Sequence, residues 1–347
     1  MPKVTILMPV YNGERYLREA VDSMLGQTFQ DFEFIIINDG STDGTSQILS
    51  SYDDPRIIII NQGNVGLSKS LNRGFKMARG AYIARMDCDD ISLPQRLEKQ
   101  VALMEREPLT GVCGTWIKTI GDNGRSVWNY PAASEEIRCR MIFESVIAHP
   151  SAVIRRSFFE KYNLYYDENL NQAQDYALWV KCASLFDLKN ISEVLLMYRI
   201  HPDQVGRIYS EGQKEAANSI RKEQLKNLGL KPDEYEFNLH ERISCYNFGT
   251  DRKFVEAANL WLMKLMNANS KVGCYPELAL EHVLAQWWYL ACDSAADLGM
   301  WAWNTFWHSP LSETADLNIL QKTIFLMKCL MKHESIKSNL RYFFHKG

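Results

Sequence analysis

The stretch Ala81-Tyr82-Ile83-Ala84-Arg85-Met86-Asp87-Cys88-Asp89-Asp90 decides the fold, because a short, mostly apolar run breaks directly into three carboxylates within four residues. Such a run, bounded by a polar turn, reads as a buried strand. Carboxylates crowded at its end repel one another unless a cation or solvent relieves them, so a divalent metal is a physically sensible resident. Hard oxygen ligands select Mg²⁺ or Mn²⁺. The same residues also read as a solvated acidic turn ahead of the helix that starts near Ser92 and Pro94.

Upstream, Val4 to Val10, Phe32 to Asn38 and Arg56 to Asn61 read as further strands. Between them Leu17, Ala20, Val21 and Met24, then Leu67, Leu71 and Phe75, recur at helical spacing. A β-α-β-α order with strands apolar throughout implies a parallel sheet covered on both faces. Ligands of such sheets bind beyond the strand C-termini. The residues there are Tyr11 and Asn12, Asp39, Asn61 to Gly66, and Asp87 to Asp90, all in polar stretches. Asp39 suits either a nucleotide's N–H and hydroxyl groups or a plain Asp-Gly turn.

Downstream of about Gln95 the pattern becomes mixed, with strands expected near Val112 to Ile120, Ser126 to Tyr130, Ala152 to Ile154 and Val194 to Ile200. After Asp203 strand signals stop and the chain reads as helices. The expected organisation is an α/β domain over residues 1–210 and an all-helical region over 211–347.

Composition sets the outer limits. The 347 residues carry a net charge of −3, which argues against a nucleic-acid binder built on a strongly basic surface. Eight scattered cysteines without a C-x-x-C pair fit neither a zinc site nor a disulfide framework and suit a reducing cytosol. No run of 18 apolar residues is present, and Val4 to Met8 is too short for the core of a signal peptide, so a cytoplasmic protein is expected.

Seven fragments in a fixed order then acquire joint meaning: Pro9-Val10-Tyr11-Asn12, Asn38-Asp39-Gly40-Ser41-Thr42-Asp43, Asn64-Val65-Gly66-Leu67-Ser68 with Asn72, Asp87-Cys88-Asp89-Asp90, His149-Pro150-Ser151, Asp175-Tyr176-Ala177-Leu178-Trp179 and Tyr198-Arg199-Ile200-His201. Over roughly residues 1–203 the chain resembles the family 2 glycosyltransferases of the GT-A fold, the inverting type that serves bacterial cell-surface polysaccharides.

The resemblance implies a UDP-sugar donor and a metal, Mn²⁺ or Mg²⁺. It implies that Asp39 recognises the base, with Pro9, Val10, Tyr11 and Asn12 as one wall, and that Asn64, Gly66 and Ser68 line the same pocket. Asp87, Cys88 and Asp89 correspond to the D-x-D element, with Asp87 near the ribose and Asp89 on the metal. His201 is expected on the metal as well, His149 as a structural residue, and Asp175 as the base that deprotonates the acceptor hydroxyl. Two departures stand out: Gln174 replaces the usual Glu ahead of the base, and Ala177 replaces a frequent acidic residue. The Q-x-x-R-W motif of processive synthases is absent from the sequence, so one sugar is expected to be added per encounter, to a glycan or lipid-linked acceptor.

Other readings of the sheet are a sugar-nucleotide nucleotidyltransferase and a non-catalytic glycan-binding protein on a degenerate transferase fold. The former wants a Gly-rich, Arg-containing loop after the first strand, which Tyr11-Asn12-Gly13-Glu14 does not supply. In the helical region Trp287, Trp288, Trp301, Trp303 and Trp307 suit a bundle core, or else a sugar-stacking or interfacial surface. Residues 322–347 hold six Lys and Arg against one Glu, interleaved with apolar residues. That pattern suits contact with an anionic membrane, here the cytoplasmic face of an inner membrane, as well as a solvated face or the contact of a homo-oligomer.

Overall fold

Strand β1 (Val4–Val10) is buried along its whole length and pairs in parallel with β2 (Phe32–Asp39) on one side and β4 (Tyr82–Arg85) on the other. The computed structural model describes residues 1–122, 124–202 and 210–331. Strand β3 (Ile57–Gln62) adds in parallel to β2, giving the order β3-β2-β1-β4. Helices α1 (Leu17–Leu25), α2 (Thr45–Ser50) and α3 (Leu67–Met77) connect these strands. The α/β order expected from the apolar runs is the order found.

One face of these strands buries Ile6, Met8, Phe34, Ile36 and Ala84 with Leu17, Val21 and Met24 of α1. Each of these side chains apart from Ala84 contributes about 1.5–3 kcal/mol of transfer free energy. On the other face α3 approaches so closely that a Cβ at Gly74 would overlap the Leu7 side chain. From β1 the chain runs outward to β2 and β3, then returns to the opposite side as β4. That reversal leaves a crevice beyond the ends of β1 and β4, where ligands of open α/β sheets bind.

The second half of the sheet is mixed. Strand β8 (Val153–Arg155) runs antiparallel to β4, β6 (Thr110–Gly121) antiparallel to β8, and β9 (Asp187–Ile200) parallel to β6. Two-residue strands finish it: β5 (Ile91–Ser92) pairs with β9 and β7 (Val127–Trp128) with β6, both antiparallel. Helices α4 (Arg96–Arg106), α5 (Ser134–Arg140), α6 (Arg156–Lys161) and α7 (Gln174–Ala183) complete this part. The fold is GT-A-like, followed by an all-helical region.

The described residues form two compact units, one of 1–137 with 145–216 and the other of 138–144 with 217–331. Helix α8 (Ser210–Asn227) contributes to both, and α9 (Glu234–Ser244), α10 (Arg252–Val272), α11 (Glu277–Ser294), α12 (Met300–His308) and α13 (Ile319–Met331) lie in the second. A capping box starts α9: Asp233 accepts from the Glu236 N–H at 2.8 Å, and Glu236 accepts from the Asp233 N–H at 3.3 Å. Trp261, Trp287 and Trp288 are buried in this unit's core, with Trp301 and Trp303 packed against it and Trp307 partly exposed. Two of the five clustered tryptophans, Trp287 and Trp288, are therefore bundle interior, and Trp301 and Trp303 border it. Among the described residues no helix is long and apolar enough to cross a membrane.

Candidate active site

The loop after β1 is stitched to the loop after β2. The Asn12 N–H donates to Ser41 Oγ at 3.0 Å and Asn12 Oδ1 accepts from the Thr42 N–H at 2.8 Å. Gly13 donates to Thr45 Oγ1 at 2.9 Å and Glu14 to Asp43 Oδ2 at 3.0 Å. Burial works to raise the Asp43 carboxyl, but the hydrogen bonds from Thr45 and Glu14 prevail and hold it below the usual range. Pro9 and Val10 are buried at the strand end, whereas Tyr11 is exposed beside Asn12, which takes a left-handed φ of 51°.

Asp39, which ends β2, is buried. Its Oδ1 accepts from Gln62 Nε2 at 2.8 Å and from the Val65 N–H at 2.9 Å, and its Oδ2 from the Gly66 N–H at 2.9 Å. The carboxylate thus folds the turn that carries Asn64 and Gly66. Gly66 sits at φ +93°, open to glycine but not to most side chains. Ser68 is turned elsewhere, its Oγ donating to the Leu170 carbonyl at 3.4 Å. Nearby Asn72 grips the same segment through the Tyr166 carbonyl at 2.9 Å and the Tyr166 N–H at 2.9 Å.

Beyond β4, one carboxylate oxygen from each of Asp87, Asp89 and Asp90 lies within 4.8 Å of the others. Burial, then the charge of Asp87, pushes the Asp89 carboxyl up, and Asp90 is raised further by burial and by Asp89 and Asp87. Asp90 Oδ1 accepts from the Arg199 N–H at 2.8 Å, while the buried Asp90 Oδ2 has no hydrogen-bond partner. Mutual repulsion and an unsatisfied buried oxygen are what a divalent cation relieves, so this oxygen-rich set fits Mg²⁺ or Mn²⁺. Cys88 backs onto the β1 loop, since a Cβ at Gly13 would meet its Sγ at 3.3 Å.

Strand β9 delivers two more groups. Its pairing with β5 sets Ile91 against Met197, and continuing that register brings Arg199 to Asp89. Arg199 Nε donates to the Asp89 carbonyl at 2.7 Å, and His201 Nε2 lies 3.0 Å from Asp89 Oδ2. The buried His201 Nδ1 has no hydrogen-bond partner.

A residue that motif reading passed over links the remaining carboxylate to this cluster. Arg85 is only 2% exposed inside β4 and forms an ion pair with Asp87. Burial pulls its pKa down, but the charge of Asp87 outweighs this and holds the guanidinium above its ordinary value. The signal was present in the sequence: a cation within an apolar strand, two positions ahead of the acids. Asp175 stands half-buried in the first turn of α7, just after Ala173, whose left-handed φ of 53° is a strained value for alanine. Burial raises the Asp175 carboxyl, the Tyr176 N–H and the Arg85 charge lower it, and Asp87 raises it again, leaving it above the usual range. His149, 2.7 Å from the Tyr166 hydroxyl, is kept neutral by burial and by Arg85.

The structure therefore brings Asp87, Asp89 and His201 together, places Asp175 where the charges of Arg85 and Asp87 act on it, and joins Asn12 to the loop after Asp39. It turns Ser68 toward the 166–170 segment.

The chain that folds into this GT-A-like sheet with its carboxylate-rich crevice belongs to glycosyl transferase family 2. The pattern described as "Glycosyl transferase family 2" matches residues 5–163. A protein of Haemophilus influenzae named an uncharacterized glycosyltransferase is 34% identical over 242 residues, 65% of this chain and 73% of that one. A Methanocaldococcus jannaschii protein of the same description is 38% identical over 208 residues, 57% of this chain and 71% of its own length. In fold, the chain resembles S. aureus TarS residues 1–349 crystallised with UDP-GlcNAc, with a TM-score of 0.57, 19% identity, and coverage of 90% of this chain and 91% of that one. The protein is a glycosyltransferase, which sets the nucleotidyltransferase reading aside.

Proposed function

We propose that this transferase is inverting, metal-dependent and non-processive, moving one hexosyl or N-acetylhexosaminyl unit from a UDP-sugar to a hydroxyl of a glycan or lipid-linked acceptor in cell-surface polysaccharide synthesis. The observation that carries the reading is the convergence of Asp87, Asp89 and Asp90 at the sheet's reversal point, with Asp175 electrostatically joined to them through Arg85. The complex of TarS with UDP-GlcNAc supports the choice of UDP.

Asp39 uses three acceptor positions on the 62–66 segment. An ionised carboxylate offers about four, so one remains for a base N–H. Tyr11 and Asn12 border the same side. Asp89, with His201 beside it, would hold the divalent cation, which would offset the charge of the departing diphosphate. Arg85 keeps Asp87 aimed. An acceptor hydroxyl is a poor nucleophile at neutral pH, and Asp175 takes its proton as the new bond forms. One base opposite the leaving group gives a single in-line displacement and hence inversion.

The deciding experiment is a screen of UDP-, GDP- and TDP-sugars for Mn²⁺-dependent hydrolysis by the full chain. Release of UDP from one UDP-sugar, abolished by Asp89→Ala, is the expected result. Hydrolysis unaffected by chelation would sink the metal-dependent reading.

A second surface supports peripheral contact with an anionic membrane. Ile319, Leu320, Met327 and Leu330 of α13 are exposed, and Ile319, Thr323, Met327 and Leu330 follow one another at helical spacing. Two members of the 322–347 pattern are otherwise engaged: Phe325 is buried against Phe306 and Tyr289, and Lys328 binds Asp293 at 2.6 Å. Residues 332–347 lie outside the described residues. Such contact would keep the enzyme on the cytoplasmic face of the inner membrane.

A further inference from the structure

The sheet carries an exposed aromatic side chain suited to sugar stacking. Trp128 is 42% exposed although it belongs to a strand. Leaving that much indole in water forfeits transfer free energy that burial would recover. Trp128 is nonetheless held firmly. Its strand β7 pairs with β6 through Ile117↔Trp128 and Lys118↔Val127. One residue further on, Thr119 N–H donates to the Ser126 carbonyl at 2.8 Å, and the Ser126 N–H returns a bond to Thr119 Oγ1 at 2.8 Å. On the other side Trp116 Nε1 donates to the Tyr130 carbonyl at 2.9 Å.

The register fixes which way this aromatic row leads. Residues directly opposite across a ladder share a face, and residues two apart on one strand share it too. Trp128 lies opposite Ile117, and Tyr198 of β9 lies opposite Thr119, so both stand on one face with β6 between them. Their ring centroids are 5.7 Å apart at 36°. Continuing the pairing of β5 with β9 sets Asp90 beside Tyr198. Accordingly the charges of Asp90, Asp87 and Asp89 all act on the Tyr198 hydroxyl, reinforcing the upward push of burial. A half-exposed indole thus packs on Tyr198, and Tyr198 in turn borders the carboxylate cluster.

We propose that Trp128, backed by Tyr198, is the platform on which a pyranose ring of a glycan acceptor stacks beside the carboxylate site. The inference rests on the transferase reading above and deepens it by naming the acceptor's chemistry. A large, pre-ordered aromatic surface next to polar groups suits a ring with one apolar C–H face and a hydroxyl rim, because little side-chain freedom is lost on binding. A lipid-linked acceptor engaged only through its phosphate would gain nothing from it.

The test uses the full chain with Mn²⁺ and UDP, and the methyl β-pyranosides of glucose, galactose and N-acetylglucosamine as probes. Saturation-transfer NMR should show transfer to the ring C–H protons of at least one probe. Trp128→Ala should weaken that binding about tenfold, the size of a single aromatic anchor, and Trp128→Phe should retain most of it. UDP affinity should stay within error of the parent in both variants, and each should unfold in a single cooperative transition, Trp128→Ala at a somewhat lower temperature because it loses the contact with Tyr198. Equal saturation in the parent and Trp128→Ala, or no saturation of any probe by the parent, would overturn the platform. Failure of the parent to bind UDP in a Mn²⁺-dependent way, read by calorimetry, would instead overturn the transferase reading and the proposal with it.

Discussion

His201 Nε2 stands 3.0 Å from Asp89 Oδ2, and the pairing of a two-residue strand is what puts it there. Strands β5 and β9 run antiparallel, so the residues that follow β9 meet the residues that precede β5. The histidine and the acid, 112 positions apart in the chain, are thereby fixed before any ligand arrives.

That relationship makes His201 testable as either a ligand or the group that orients one. Groups that orient a ligand typically cost 10–100-fold in metal affinity when removed. His201→Ala should therefore weaken Mn²⁺ binding by about that factor, and Asp89→Ala by more. Electron paramagnetic resonance titration of free Mn²⁺ reads both. Parent-like affinity in His201→Ala would take the histidine out of the metal site.

Asp175 should govern the pH dependence of transfer. A base acts in its ionised form, and burial raises this carboxyl above its ordinary value of 3.8. The rate should accordingly decline as pH falls through that raised value, with the acidic limb of kcat/KM above the range of a free aspartate. Asp175→Asn should lower transfer by about 10²–10⁴-fold while UDP affinity stays within twofold. Full transfer by the amide would refute the assignment.

The Arg85 guanidinium works in the opposite direction on the same group. Its charge lowers the Asp175 carboxyl and pairs with Asp87 inside the sheet. Arg85→Met should move the acidic limb upward and, by leaving Asp87 without its partner, destabilise the fold by about 3 kcal/mol. Arg85→Lys should keep the limb near its parent position while losing part of the stability. Identical limbs in the parent and Arg85→Met would mean that the cation is purely structural.

The parallel half of this fold was legible because strands covered on both faces are dominated by apolar residues, as the unbroken run Phe34 to Ile37 shows. The acids were legible by position alone. What stayed hidden depends on contacts far apart in sequence. Strand β9 begins at Asp187, yet its first half contains Lys189, Asn190 and Glu193 and carries no strand pattern. Asn190 is nevertheless buried, because its amide donates to the carbonyls of Pro131 at 2.8 Å and Val146 at 2.9 Å. Two-residue strands such as Ile91–Ser92 have no periodicity to detect. The face shared by Trp128 and Tyr198 exists only once β6 lies between β7 and β9.

Membrane contact should depend on charge and on the apolar row of α13 together. Co-sedimentation with phosphatidylglycerol-containing vesicles should drop about fivefold or more when residues 332–347 are deleted or when Leu320 and Met327 are both changed to Glu. Phosphatidylcholine vesicles should bind weakly in every case. Equal binding to both vesicle types would remove the electrostatic part of the idea.

Acid sensitivity of the helical unit should trace to one buried histidine. Trp261 Nε1 can only donate, and it points at His240 Nδ1 from 3.1 Å, so that nitrogen is an acceptor. Nε2 then carries the proton and donates to the Ile142 carbonyl at 3.2 Å, making the ring neutral. Burial lowers its pKa from 6.5 to about 3. Between those values the unfolded chain binds a proton that the folded chain refuses, so stability falls as pH drops, by about 1.4 kcal/mol per unit once well below 6.5. At pH 5 the parent should have lost about 2 kcal/mol relative to pH 7.5 through this residue alone. His240→Gln starts less stable at neutral pH but should lack that increment, so the two urea-unfolding curves should converge on acidification. Parallel pH dependences in parent and variant would show that His240 is not held neutral.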